Sequence, residues 1–178
     1  VASSGSGNRI MTSPNGTTWT TRTSAADNNW NSVCWSPELS LLVVGANNGV
    51  ASTSIMTSPD GINWTTRTTP NNAQWKSICW SSQLSLFVAV GNLSASTQCI
   101  MTSSNGTTWT AKSAPSASGW MSVCWSPLLG IFAACANTGT TSNIMTSTNG
   151  STWTARTTPS SSSGWYSICW SVELKLFA

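Results

Sequence analysis

Four copies of one unit of about 45 residues, an Asn-Gly or Asp-Gly turn in every copy and the lack of helical period predict an all-β fold. Units of four short strands at that spacing are the pattern of a β-propeller built from four-stranded antiparallel blades. The expectation is one propeller, or propeller segment, over residues 1–178, with four blades and one of them completed by the two ends of the chain together. The copies start at Ile10, Ile55, Ile100 and Ile144, reading IMTSPNGTTWTTRT, IMTSPDGINWTTRT, IMTSSNGTTWTAKS and IMTSTNGSTWTART.

Each blade reads as follows. WNSVCWS from Trp30, WKSICWS from Trp75, WMSVCWS from Trp120 and WYSICWS from Trp165 form the first strand, because Val, Ile, Cys and Trp suit a buried pleated surface. SPELS or its equivalent is a tight turn. LLVVG, LFVAV and their counterparts are continuously apolar, which predicts a second strand covered on both faces. A loop rich in Gly, Asn and Ser leads to IMTS, the third strand. The Asn-Gly or Asp-Gly pair then marks a hairpin turn, and WTTRT is the fourth strand.

Joined tail to head, LKLFA and VASSGSGNRI closely match the run LSLFVAVGNLSASTQCI of residues 84–100. A single ring closing on itself is the preferred geometry. The alternatives are a tail pairing with the head of the next copy and a segment cut from a longer array. A start at Val1, in mid-pattern, suits a processed, engineered or excerpted chain.

Only 6% of residues are charged, against about 25% in ordinary proteins. The net charge of +3 is scattered, so no basic patch exists to neutralise phosphates, and nucleic acid is excluded as a partner. No apolar run approaches the roughly 18 residues that insertion into a membrane requires. Ser, Thr and Asn must keep the surface hydrated, a composition that points to an extracellular or particle-surface setting.

The hairpin turn resembles the Asp-box, or BNR, repeat of sialidases, sortilin-type receptors and many secreted or viral propellers. It is also similar to the TSPDGxxW propeller repeats of uncharacterised viral, phage and environmental microbial proteins. The positions that carry the likeness are Ser13, Asn15, Gly16 and Trp19; Ser58, Asp60, Gly61 and Trp64; Ser103, Asn105, Gly106 and Trp109; and Ser147, Asn149, Gly150 and Trp153. The Asp-box spaces its acid and Gly one residue further apart, and only Asp60 keeps the acid. The resemblance implies a structural box away from any active site. Turn chemistry alone gives the same role, since Asn or Asp bonds nearby amides and Gly supplies positive φ.

Sialidase chemistry in that family uses three converging arginines, a Tyr with a Glu partner, and an Asp acid. Here Arg22, Arg67 and Arg156, with Lys112, share one repeat position and are spread around the array, while Arg9 stands apart and Tyr166 is the lone tyrosine. Glu38 and Glu173 occupy equivalent turns in different blades, and Asp27 and Asp60 lie elsewhere. With no histidine, Ser-His-Asp and Cys-His nucleophiles are excluded. No catalytic residue and no cofactor is assigned. Cys34, Cys79, Cys124 and Cys169 share one first-strand position and read as small buried hydrophobes, with a soft-metal thiolate ring as the sharper alternative. Cys99 and Cys135 break the repeat and could pair with each other, or Cys135 with Cys124. Asn15, Asn63, Asn92, Asn105 and Asn149 head possible N-glycosylation sequons.

Strand residues are kept between copies while the loops SAADNN, TPNNAQ, SAPSASG and TPSSSSG diverge. That favours a non-enzymatic structural or interaction module, binding one protein partner or assembling with itself. The alternatives are a carbohydrate-binding lectin, with Trp stacking on sugar faces, and a sialidase-like hydrolase.

Overall fold

The computed structural model describes residues 9–93, 95–137, 143–159 and 164–178. Three four-stranded antiparallel sheets follow one another along the chain. Blade 1 comprises β3 (Trp30–Ser36), β4 (Leu41–Ala46), β5 (Ile55–Ser58) and β6 (Thr65–Arg67). Blade 2 comprises β7 (Gln74–Ser81), β8 (Leu86–Asn92), β9 (Ile100–Ser103) and β10 (Thr110–Lys112), and blade 3 comprises β11 (Trp120–Ser126), β12 (Ile131–Ala136), β13 (Ile144–Ser147) and β14 (Thr154–Arg156). A hairpin of β1 (Ile10–Thr12) and β2 (Thr20–Arg22) precedes them, and a hairpin of β15 (Trp170–Ser171) and β16 (Leu176–Phe177) follows. Within each sheet the strands lie in chain order.

The strands expected of the three full blades are present, with the fourth shorter than WTTRT suggests, while of WYSICWS only Trp170–Ser171 is strand. The fourth strand starts after the Trp, whose indole turns back to the hairpin loop and donates to the Gly carbonyl, as Trp64 Nε1 does to Gly61 at 3.2 Å. Each complete first strand carries a bulge at the same place, between Trp30 and Ser32, Trp75 and Ser77, and Trp120 and Ser122. The bulge leaves Asn31, Lys76 and Met121 out of the ladder and re-aims the Ser that follows.

Among the described residues β1–β2 and β15–β16 are separate two-stranded sheets, and no sheet is closed by tail and head together.

The core lies between blades rather than inside any one of them. Val43 and Ile55 of blade 1 meet Trp75, Ile78, Phe87 and Met101 of blade 2. Val88, Val90 and Ile100 of blade 2 meet Trp120, Val123, Phe132 and Met145 of blade 3. Ile10 of the leading hairpin meets Val44 and Met56 of blade 1. Adjacent second-strand residues therefore face opposite neighbours, which is why the strand is apolar throughout. Phe87 and Phe132 are fully buried, each worth about 2–3 kcal/mol of transfer free energy.

Candidate functional site

The hairpin turn is the most regular site in the molecule. In blade 2, Ser103 Oγ accepts the Gly106 N–H at 2.8 Å, while Asn105 Oδ1 accepts the N–H groups of Thr107 and Thr108, both at 2.9 Å. Trp109 Nε1 closes the turn on the Gly106 carbonyl at 3.1 Å. The same set recurs around Asn15, Asp60 and Asn149. At Asp60 the N–H groups of Asn63 and Ile62 hold the carboxyl well below the usual carboxylate range. The Ser Oγ, the Asn or Asp Oδ1 and the Trp Nε1 of the motif are thus committed inside their own turn.

A second set of repeated contacts runs between blades. Ser32 Oγ accepts the Ile78 N–H at 3.0 Å, Ser77 Oγ accepts that of Val123 at 3.2 Å, and Ser122 Oγ accepts that of Ile168 at 3.2 Å. First strands are therefore stitched along the inner edge by one Ser per blade. Higher up, Trp80 Nε1 donates to Glu38 Oε2 at 2.7 Å and Trp125 Nε1 to Gln83 Oε1 at 3.1 Å. Its own backbone N–H and the Ser82 hydroxyl hold the Glu38 carboxyl below its usual value. The third equivalent pair fails: Leu128 stands at the Glu38 position, and Trp170 Nε1 is buried without a partner among the described residues.

Cavities lie beside the first and the last full blade. Before blade 1, a cavity of about 330 Å³ is lined by Ile10, Val33, Leu42, Val44 and Trp64. After blade 3, a cavity of about 280 Å³ is lined by Ala133, Cys135, Ile144, Trp165 and Phe177. A more polar one of about 350 Å³ lies beside Ile131, Thr146, Asn149 and Arg156. The residues exposed there are those buried inside every internal junction. Trp19 is 54% and Trp165 40% exposed, whereas Trp109 and Trp120 are buried.

The chemical candidates do not converge. Arg22, Arg67 and Arg156 each donate from Nε to a Thr on the partner strand of their own outer hairpin, at 2.9 to 3.0 Å. Arg9 pairs with Asp27 at 2.6 Å. Tyr166 stands exposed ahead of β15, and Glu38 and Glu173 stay on turns of different sheets.

Among the described residues no group of three or more Cys, Asp or Glu could hold a metal ion. All six cysteines are free, Cys99 and Cys135 included. Cys34, Cys79 and Cys124 are half-buried rather than buried, because their strand lines the open inner edge, and Cys169 is exposed. Desolvation still pushes the Cys34 thiol up to about 11 and that of Cys124 up to about 12. The sequon residues Asn15, Asn63, Asn92, Asn105 and Asn149 all lie at the surface. The inter-blade Ser and Glu or Gln contacts were not foreseen; the invariant Ser of WxSxCW in all four copies was the available signal.

No protein-family model matches the chain, and no curated protein matches its sequence. Solved structures do. Virginiamycin B lyase from Staphylococcus aureus superposes with a TM-score of 0.71 at 15% identity, over 86% of this chain and 50% of that one. A chain of the nidogen/laminin complex gives 0.64 at 9% identity, over 89% and 59%. YCF48 from Cyanidioschyzon merolae gives 0.56 at 15% identity, over 82% and 48%. The chain thus spans about half the length of these structures. Such low identities speak for the fold alone: a β-propeller-like array of four-stranded antiparallel blades. That architecture occurs in a lyase and in the nidogen/laminin complex alike.

Proposed function

We propose that this chain is a non-enzymatic structural or interaction module, a rigid propeller scaffold that presents loops and end faces to protein partners, other copies of itself included. The observation that carries the reading is the commitment of the repeated polar side chains to structure. Turn Asn and Asp residues satisfy their own hairpins, the outer arginines bond neighbouring Thr hydroxyls, and Glu38 and Gln83 join one blade to the next. Four divergent loops on a conserved frame suit one partner rather than a repeated small ligand.

Burial of Trp75, Trp80, Trp109, Trp120 and Trp153 in the blade junctions counts against a sugar-stacking role for those rings. The turn's likeness to the Asp-box fits a scaffold, and the charge-poor surface supports an extracellular or particle-surface setting with glycans on the exposed sequons. A panel of fluorogenic glycosides, sialosides included, together with a glycan array tests the reading. Neither turnover nor retention is expected. Turnover abolished by Tyr166→Phe, or saturable binding to one glycan class, would replace the scaffold with a hydrolase or a lectin.

A further inference from the structure

We propose that Asn105 and Asn149, with Asn15 of the leading hairpin, are sites of spontaneous deamidation, and that the turn steers each to an aspartate held as Asp60 is held. The inference goes beyond the scaffold reading and does not depend on it. Asn followed by Gly is the sequence most open to this reaction, because glycine leaves the next main-chain nitrogen uncrowded. The chain has four such pairs, the fourth being Asn48-Gly49. Sequence treats the four alike, and the structure separates them.

In this reaction the Gly106 nitrogen adds to Asn105 Cγ, the Cγ–Nδ2 bond breaks, and ammonia leaves with the proton that Gly106 gives up. Water then opens the cyclic imide. Cleavage of the new N–Cγ bond yields aspartate, whereas cleavage at the main-chain carbonyl, the more reactive in a free imide, yields isoaspartate with a longer backbone. Negative charge grows on Oδ1 as the nitrogen adds, and donors already aimed there stabilise it. Asn105 Oδ1 accepts from the Thr107 and Thr108 amides at 2.9 Å and from Ser103 Oγ at 3.1 Å. Asn149 Oδ1 has the same set at 2.8 to 3.2 Å. Both side chains are exposed, and Nδ2, the leaving group, bonds nothing among the described residues. Asn48 is held the other way round. It is half-buried, its Nδ2 donates to Asn28 Oδ1, and its Oδ1 accepts from the Ser54 hydroxyl at 3.3 Å.

The product is already present in the chain. Asp60 Oδ1 accepts from the Ile62 and Asn63 amides at 2.8 Å and from Ser58 Oγ at 2.9 Å, and Oδ2 takes Asn63 Nδ2 at 2.8 Å. Gly61 and Gly106 share a φ of +71° and Gly150 has +69°, so the turn is the same whether an acid or an amide precedes the glycine. Thr108 and Thr152 stand at the Asn63 position and bring a hydroxyl to the new oxygen. Isoaspartate fits less well. Leu41 and Val43 lie against Gly106, and Leu86 and Val88 against Gly150, so a lengthened main chain is driven into them. Conversion of all three turns takes the formal net charge from +3 to zero, withdrawing repulsion between copies. It also removes the Nδ2 on which a glycan at these sequons would be built.

The test is peptide mapping of the unglycosylated 178-residue chain during incubation at neutral pH, folded and in urea, with aspartate and isoaspartate told apart by fragmentation. In the folded chain Asn105 and Asn149 should convert several-fold faster than Asn48 and yield chiefly aspartate. In urea the rates should converge and isoaspartate should predominate. Asn105→Asp should melt with the unaltered chain at neutral pH. Persistence of Asn105 and Asn149 in the folded chain overturns the inference, as does conversion of Asn48 at an equal or greater rate. Isoaspartate as the main product of the folded chain, or marked destabilisation by Asn105→Asp, overturns it too.

Discussion

Trp80 Nε1 donates to Glu38 Oε2 at 2.7 Å across the boundary between the first two blades. Trp125 meets Gln83 in the same way at the next boundary, while Leu128 stands at the equivalent position of blade 3 and Trp170 Nε1 has no acceptor among the described residues. This series predicts an order of stabilities. Gln83→Ala should cost about 1 kcal/mol, and Glu38→Ala should cost more, since Trp80 is the more deeply buried indole. Glu38→Gln should be mild, Gln83 being the working example. Leu128→Gln should raise stability by about 1 kcal/mol by giving Trp170 Nε1 an acceptor. Urea unfolding of the four variants checks the order.

Asp60 is the one acid among the four turn residues, and its folded-state ionisation lies below the ordinary range because the Asn63 and Ile62 amides favour the carboxylate. A group depressed in this way stabilises the fold fully above the unfolded-state value. That contribution drains away as pH falls through and below it. Asp60→Asn should therefore flatten the acid limb of the stability curve below about pH 4 and leave neutral stability close to unchanged. Melting temperatures measured between pH 2 and 7 decide it; equal acid limbs would contradict the prediction.

Gly106 has a φ of +71° and an added Cβ would lie 2.6 Å from Leu41 Cδ2. Gly106→Ala should combine backbone strain with overpacking and cost about 2–4 kcal/mol. Gly16 has a similar φ of +75° but open space around it, so Gly16→Ala should cost only the backbone part, about 1–2 kcal/mol. Chemical denaturation of the pair separates the two contributions.

Thiol labelling probes the open inner edge. Burial raises Cys34, Cys99 and Cys135 to about 11 and Cys124 to about 12, while Cys169 is exposed. Iodoacetamide at pH 8 should modify Cys169 first, because the attacking species is the thiolate and access to the others is restricted. Mass spectrometry of the native protein reads the order. Equal labelling of Cys34 and Cys169 would show that the inner edge is not packed as described.

The repeat made much of this fold legible. The period, the hairpin turn and the apolar second strand each follow from local chemistry, and Asn105, Gly106 and Trp109 take up the roles that turn rules give them. Relations between blades were harder to read. That Ser32 bonds Ile78, or that Leu41 must lie over Gly106, depends on how one sheet is turned against the next, which no local pattern encodes. The left-handed backbone at Ser40, Ser85 and Lys175 was also hidden, although Gly130 at the equivalent position hinted at it.

The central claim is that successive blades are held to one another through the Ser of each first strand, and amide hydrogen exchange tests it residue by residue. In Ser77→Ala, exchange at the Val123 amide should rise at least tenfold while Ile78, bonded to Ser32, keeps its protection. Unchanged exchange at Val123, or equal acceleration at both amides, would contradict this account of how the blades are joined.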